Sequence, residues 1–178
     1  MTGMLERHRA ALVVVDVQEA FREAVGEFEA VAHGAGVLVQ GGRRLGLPIV
    51  VTQQYPRGLG DTVPEVARYL EGIPRLDKLA FSACRADGFD LGEREQALVC
   101  GIEAHVCVSQ TVHDLIRGGV EVHVATDAVS SRTAANRRVG LAKMERAGAV
   151  LSSVETALFE LVEQAGTDEF RAVQRLVR

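Results

Sequence analysis

Unbroken apolar runs and amphipathic stretches take turns along this chain. Residues 11–15 are apolar throughout and stop at Asp16, the pattern of a strand covered on both faces in a parallel sheet. From about 27 to 45, Phe28, Val31, Ala32, Ala35, Leu38 and Val39 fall on one helical stripe. A second strand is predicted over 48–52. Residues 53–74 are polar and hold Pro56, Gly58, Gly60, Pro64 and Gly72. They read as a long loop with a short helix near 66–70, and long ordered loops are often functional. A weaker third strand covers 76–81 and a strong fourth covers 97–101. A helix then starts at Cys107, buries Val108, Val112, Leu115 and Ile116, and stops at Gly118-Gly119. Strand five is predicted over 120–125, a helix over 134–147 and strand six over 149–151. Ser152 and Glu155 suggest a capping box for a helix through Val162, and Phe170, Val173 and Val177 suggest a last short helix.

Strands that alternate with helices predict an α/β protein. The expected form is a three-layer α/β/α, Rossmann-like fold with a six-stranded, mostly parallel sheet, built as one domain over 1–178. In such folds the site lies at the carboxyl ends of the strands, near the switch in strand order. Asp16, Gln53, Cys107 and Asp127 all follow predicted strands, so they are expected at one edge of the sheet.

The composition removes several classes of function. The chain has 178 residues, a net charge of −4 and 47% apolar residues, enough for a sizeable core. No basic stripe with interleaved aromatics points to nucleic acid. Arg171, Arg175 and Arg178 share one side of the last helix and read as a solvated face. Three cysteines, Cys84, Cys100 and Cys107, make no disulfide framework and no CxxC pair. The opening segment 1–9 lacks the apolar stretch of a leader, and no apolar run would span a bilayer. The expectation is a cytoplasmic protein with no membrane partner. There is no GxGxxG, GxxxxGK[ST], GxSxG or HExxH pattern.

The segment from Val99 to Thr111 carries the chemistry. It reads as a strand that ends at Gly101, a short turn, and a helix entered at Cys107. A helix start bears partial positive charge and free N–H groups, so a thiol there is expected to have a lowered pKa. Each candidate also has a plain structural reading. A lone cysteine is usually a small buried hydrophobe, which suits Cys100. Asp16 or Glu19 could cap the next turn, Lys78 could be a surface ion pair, and His105 could be a base for the thiol or a turn histidine bonded to backbone. Taken together, Asp16, Lys78 and Cys107 offer a carboxylate to accept the thiol proton, an ammonium to favour charged forms, and a nucleophile for an electrophilic carbon.

The stretch from Val13 through Asp16 to Phe21, Lys78 ahead of Phe81-Ser82, and Gly101 through Cys107 to Val108 resemble the isochorismatase-like cysteine hydrolase family. Thr52 to Gly60 resembles its isochorismatase-domain-containing subgroup. The resemblance implies a triad of Asp16, Lys78 and Cys107. It implies a cis peptide between Ile102 and Glu103, with the backbone N–H groups of Glu103 and Cys107 as an oxyanion hole. It also implies a homo-oligomer, a dimer or larger. Nicotinamidases in this family carry an Asp-x-His and further histidines for a metal. Here that stretch reads Thr52-Gln53-Gln54-Tyr55, so no metal and no other cofactor are expected. The implied activity is metal-independent hydrolysis of a small amide, ureido or related C–N bond through a thioester-type intermediate. The alternatives are a non-catalytic oligomeric binding protein or an isochorismatase-type vinyl ether hydrolase. Gln18, Phe21, Gln53, Gln54, Tyr55 and His105 are the candidate contacts for a small-molecule substrate.

Overall fold

The computed structural model describes residues 3–178, so the first two residues of the segment read as leaderless lie outside it. Six strands form one sheet in the order β3-β2-β1-β4-β5-β6. They are β1 (Ala10–Val15), β2 (Ile49–Gln54), β3 (Arg75–Lys78), β4 (Gln96–Ile102), β5 (Glu121–Ser130) and β6 (Val150–Ser152). Every neighbouring pair is parallel. The helices are α1 (Phe28–Leu45), α2 (Pro56–Leu59), α3 (Pro64–Ala67), α4 (Cys107–Arg117), α5 (Ala134–Arg146), α6 (Val154–Val162) and α7 (Asp168–Leu176).

The apolar run that opens the chain is buried because both of its faces are covered. Leu12 and Val14 join a core with Phe28, Val31 and Leu38 of α1, Leu158 of α6 and Val173 of α7. Ala11, Val13 and Val15 point the other way, toward Val108, Val112 and Leu115 of α4 and Met144 of α5. This is the period-two alternation of a strand between two helical layers. Cys100 belongs to the α1 side and Cys107 to the α4 side, so the two sulfurs sit in different cores.

The order reverses between β1 and β4: the chain steps outward to β2 and β3, then returns to β4 beside β1. A crevice opens at the carboxyl ends where the two directions part. Val15 pairs with Thr52 on one side and with Gly101 on the other. Gly101 has φ +123°, and a Cβ there would lie 2.0 Å from the Val15 carbonyl oxygen. Only glycine lets β4 lie this close to β1 at the crevice.

Four expectations about elements are corrected. The third strand ends at Lys78, and the chain then leaves the sheet with Leu79 and Phe81 exposed. The fifth runs on to Ser130, because a bulge against β4 restores pairing of Val129 and Ser130 with Gly101 and Ile102. Asp127 therefore lies inside β5, and its carboxylate accepts the Val154 N–H at 2.8 Å. It serves the start of α6 rather than the crevice. The cap of α6 is Ser153, whose hydroxyl accepts from Thr156 N–H at 3.1 Å, so the pair Ser152 and Glu155 is displaced by one position.

Candidate active site

The register of the sheet delivers the site. Asp16 is the first residue past β1 and adopts a left-handed φ of 52°, which short polar side chains tolerate. Its N–H bonds to Thr52 O, and the Thr52 hydroxyl donates to its Oδ1 at 2.8 Å. Gln54 and Lys78 are directly opposed across β2 and β3. The Lys78 ammonium donates to Asp16 Oδ2 at 2.7 Å, Gln54 Oε1 at 2.7 Å and Phe81 O at 2.9 Å. An ammonium has three donors, so all of them are taken inside the protein. The Lys78 and Asp16 side chains are both 0% exposed. A buried pair holds only when its remaining hydrogen-bonding capacity is met, and here it is met.

Cys107 arrives from the other side of the crevice, as the first residue of α4. Its Sγ lies 3.9 Å from Gln54 Oε1, so one carboxamide oxygen bridges the thiol and the ammonium. The turn ahead of it contains a cis peptide between Ile102 and Glu103. Glu103 O accepts from the Val106 and Val108 N–H groups. Among the described residues, the N–H groups of Glu103 and Cys107 have no acceptor. The Glu103 carboxylate is gripped by Arg132 through its backbone N–H at 2.9 Å, its Nε at 3.0 Å and its Nη2 at 2.7 Å. Burial pushes the Glu103 carboxyl upward, but Arg132 outweighs it and holds the group below the usual range. On the far side, Gly140 of α5 lets that helix sit against the turn; a Cβ there would be 2.5 Å from Ala104 O.

The thiol corrects an expectation. Burial, with Asp16 adding to it and Lys78 opposing it, pushes Cys107 up to about 12. A helix start offers an anion about 0.3–1 kcal/mol, less than the 1.36 kcal/mol that moves a pKa by one. Desolvation and a neighbouring carboxylate win. The resting group is a neutral thiol beside an ionised pair.

The other candidates divide. Gln54 belongs to the site. Gln18 and Gln53, expected at the substrate pocket, are engaged in the frame instead. Gln18 Nε2 donates to Gln54 O and Gly60 O while its Oε1 accepts the Gln54 N–H. Gln53 reaches Asp77 and Thr62. Phe21 packs half-buried on the α1-side core. His105 Nδ1 meets Ser131 Oγ at 3.0 Å. Tyr55 is half exposed, beside Lys78 and Leu79 at a cavity of about 430 Å³. Thr52 and Arg132 were missed by sequence reasoning. The pairing of residue 52 beside the end of β1 could have pointed to the first; nothing local signals the second. Among the described residues, no three His, Cys, Asp or Glu side chains converge as a metal site would need, and no helix is long and apolar enough to cross a membrane.

Comparison with known proteins adds to this geometry. A family model described as the isochorismatase domain matches residues 10–156. The secreted isochorismatase effector Isc1 of Phytophthora sojae is 41% identical over 184 residues, covering 99% of this chain and 88% of that protein. Human isochorismatase domain-containing protein 2 is 39% identical over 172 residues, covering 95% and 83%. The solved structure of the MAR1 ribonuclease from Caenorhabditis elegans superposes with a TM-score of 0.94 at 39% identity, covering 98% of this chain and 92% of that one.

Proposed function

This chain belongs to the isochorismatase domain family, and from that premise we propose that it is a metal-independent cysteine hydrolase of a small amide or ureido C–N bond. The observation that carries the proposal is the run of contacts from Asp16 through Lys78 and Gln54 to Cys107, beside two N–H groups that have no acceptor among the described residues. Because the thiol rests neutral, its proton leaves during attack. Cys107 Sγ bonds to the substrate's carbonyl carbon as Asp16 takes the thiol proton. The carbonyl π electrons move to oxygen, and the Glu103 and Cys107 N–H groups hold that oxyanion. The C–N bond then breaks and Asp16 returns its proton to the departing nitrogen. A water, deprotonated by the same carboxylate, attacks the thioester, releases the acid and restores the thiol. Lys78 has no donor left for substrate, so its part is to hold Asp16 in place.

The same fact weighs against phosphodiester cleavage, the activity named for the nematode relative. Phosphoryl transfer needs cationic groups on the phosphoryl oxygens. Here the Lys78 ammonium is saturated and the Arg132 Nε and Nη2 are held by Glu103, so neither offers those donors to a phosphoryl oxygen. Vinyl ether hydrolysis has no use for the sulfur. A non-catalytic role is disfavoured by the inward lysine. Leu79, Phe81 and Tyr55 are 76%, 50% and 50% exposed beside the site, an apolar rim suited to a second copy of the chain in a homo-oligomer.

The test is a screen of small amides, ureides and N-carbamoyl compounds, with oligoribonucleotide included, against wild type and Cys107→Ala. The expected result is amide turnover that falls about 10⁴-fold or more in the variant, with a thioester adduct on Cys107 in a quenched wild-type sample. Turnover that survives in the variant, or RNA cleavage in place of amide cleavage, contradicts the proposal.

A further inference from the structure

A second hollow lies on the opposite layer. A cavity of about 580 Å³ opens where the end of α1, the turn after α3 and the face of α7 meet. Its volume is in the range of small-ligand sites. Four guanidinium groups from three separate stretches line it: Arg43, Arg44, Arg68 and Arg175, with Tyr69 and one acid, Glu71. The lining is therefore strongly positive in a chain whose net charge is −4. A solvated helix face does not explain this, because the arginines come from different elements and face one hollow.

The hydrogen bonds divide these side chains into two pairs. Arg43 is pinned, with Nη1 donating to Tyr69 O at 3.2 Å and Glu71 O at 2.6 Å. Arg68 is pinned by its Nε to Pro64 O at 2.9 Å and lies 5.8 Å from the centre of the Tyr69 ring. Each of these keeps further N–H donors. Arg44 and Arg175 make no hydrogen bond or ion pair among the described residues. Arg44 acts on Asp168 only at a distance, a weaker influence there than Arg171, which bonds to Asp168 directly. Two positioned cations and two uncommitted ones around a shared hollow match an anion with several oxygens, since guanidinium groups bind phosphate in paired N–H···O geometry.

We propose that this cavity binds a small ligand carrying two linked phosphoryl groups, such as a diphosphate. Two linked phosphoryl groups offer more oxygens for paired N–H···O contacts with four guanidinium groups than a single phosphate does. The site is separate from the crevice. Helix α1 has 18 residues and so runs about 27 Å, from the carboxyl edge where the triad lies back to the amino edge. It packs on the sheet face away from α4 and Cys107.

The probe is inorganic pyrophosphate, with ADP and sulfate alongside, titrated by calorimetry and by amide NMR at low and at raised salt. Wild type is expected to bind pyrophosphate and ADP more tightly than sulfate, with amide shifts centred on Arg43, Arg44 and Arg175 and with affinity falling as salt rises. Arg44→Glu with Arg175→Glu is expected to weaken pyrophosphate at least about tenfold, with the circular dichroism spectrum and the Cys107-dependent turnover unchanged. Arg117→Glu with Lys143→Glu, the same charge change on the α4–α5 layer, should leave the affinity as it was. Equal binding of sulfate and pyrophosphate overturns the proposal. So do unchanged affinity in Arg44→Glu with Arg175→Glu, amide shifts centred elsewhere, or no binding at millimolar pyrophosphate.

Discussion

The two ends of this sheet each bury charged groups, and they treat them differently. At the carboxyl end every polar atom of the Asp16–Lys78 pair has a partner: Thr52 on one carboxylate oxygen, Lys78 on the other, and three acceptors around the ammonium. At the amino end His123 is 0% exposed on β5 and neither ring nitrogen makes a hydrogen bond. Both carboxylate oxygens of Glu121 are likewise unbonded, although His123 Nε2 and Arg9 Nη2 stand 3.7 and 3.8 Å away. Bonded groups keep one geometry. At the unbonded end burial holds His123 below its ordinary value of 6.5, with Glu160 and Glu121 opposing. Order is concentrated where chemistry is proposed, and slack is left at the far end.

The largest effect that would sharpen this contrast is in Lys78→Met. It strands a buried carboxylate, and breaking one partner of a buried pair costs about 3–5 kcal/mol. Urea unfolding should show that loss. A loss below about 1 kcal/mol would mean the pair is no more committed than a surface one. Thr52→Val should be smaller. It removes one hydrogen bond to Asp16, worth about 1.5–3 kcal/mol with a charged acceptor. Turnover should fall while substrate affinity holds; a change in affinity alone would place Thr52 at the substrate instead. The smallest effect at neutral pH belongs to His123→Phe. In wild type the folded histidine stays neutral while the unfolded one takes a proton near 6.5. Stability is therefore fully present above that value and is lost as pH falls toward the depressed folded pKa. Thermal melts should show that acid slope in wild type and a flatter one in His123→Phe, with equal slopes breaking the comparison.

Much of this was legible in the residues. Alternating runs predicted the parallel sheet and its two helical layers, because burial on both faces leaves a long apolar imprint such as that of residues 11–15. Asp16 and Cys107 stood out because each follows a predicted strand at the same edge; Lys78, inside a weak predicted strand, stood out only in combination with them and through the family resemblance. What was not legible depended on contact across the fold. The bulge that lengthens β5 moved Asp127 from the crevice to the start of α6. Gln18 and Gln53 look like pocket residues in a polar stretch, yet neighbouring backbone and side chains claim their carboxamides. The thiol was misread most instructively: a helix start acts locally and is visible in a sequence, while desolvation and the Asp16 charge arise only when remote segments close over the sulfur.

That reversal supplies the decisive measurement, the pH dependence of Cys107 alkylation by iodoacetamide in wild type and in Asp16→Asn, followed by peptide mass spectrometry. A neutral thiol held up by burial and by Asp16 predicts a wild-type rate that climbs through pH 10 without a plateau. In Asp16→Asn the carboxylate is gone and Lys78 remains, so the profile should move to lower pH and labelling at pH 8 should quicken, even as turnover falls about 10³-fold or more. A wild-type plateau near neutral pH, or slower labelling of Cys107 in Asp16→Asn, would contradict a resting thiol whose proton passes to Asp16.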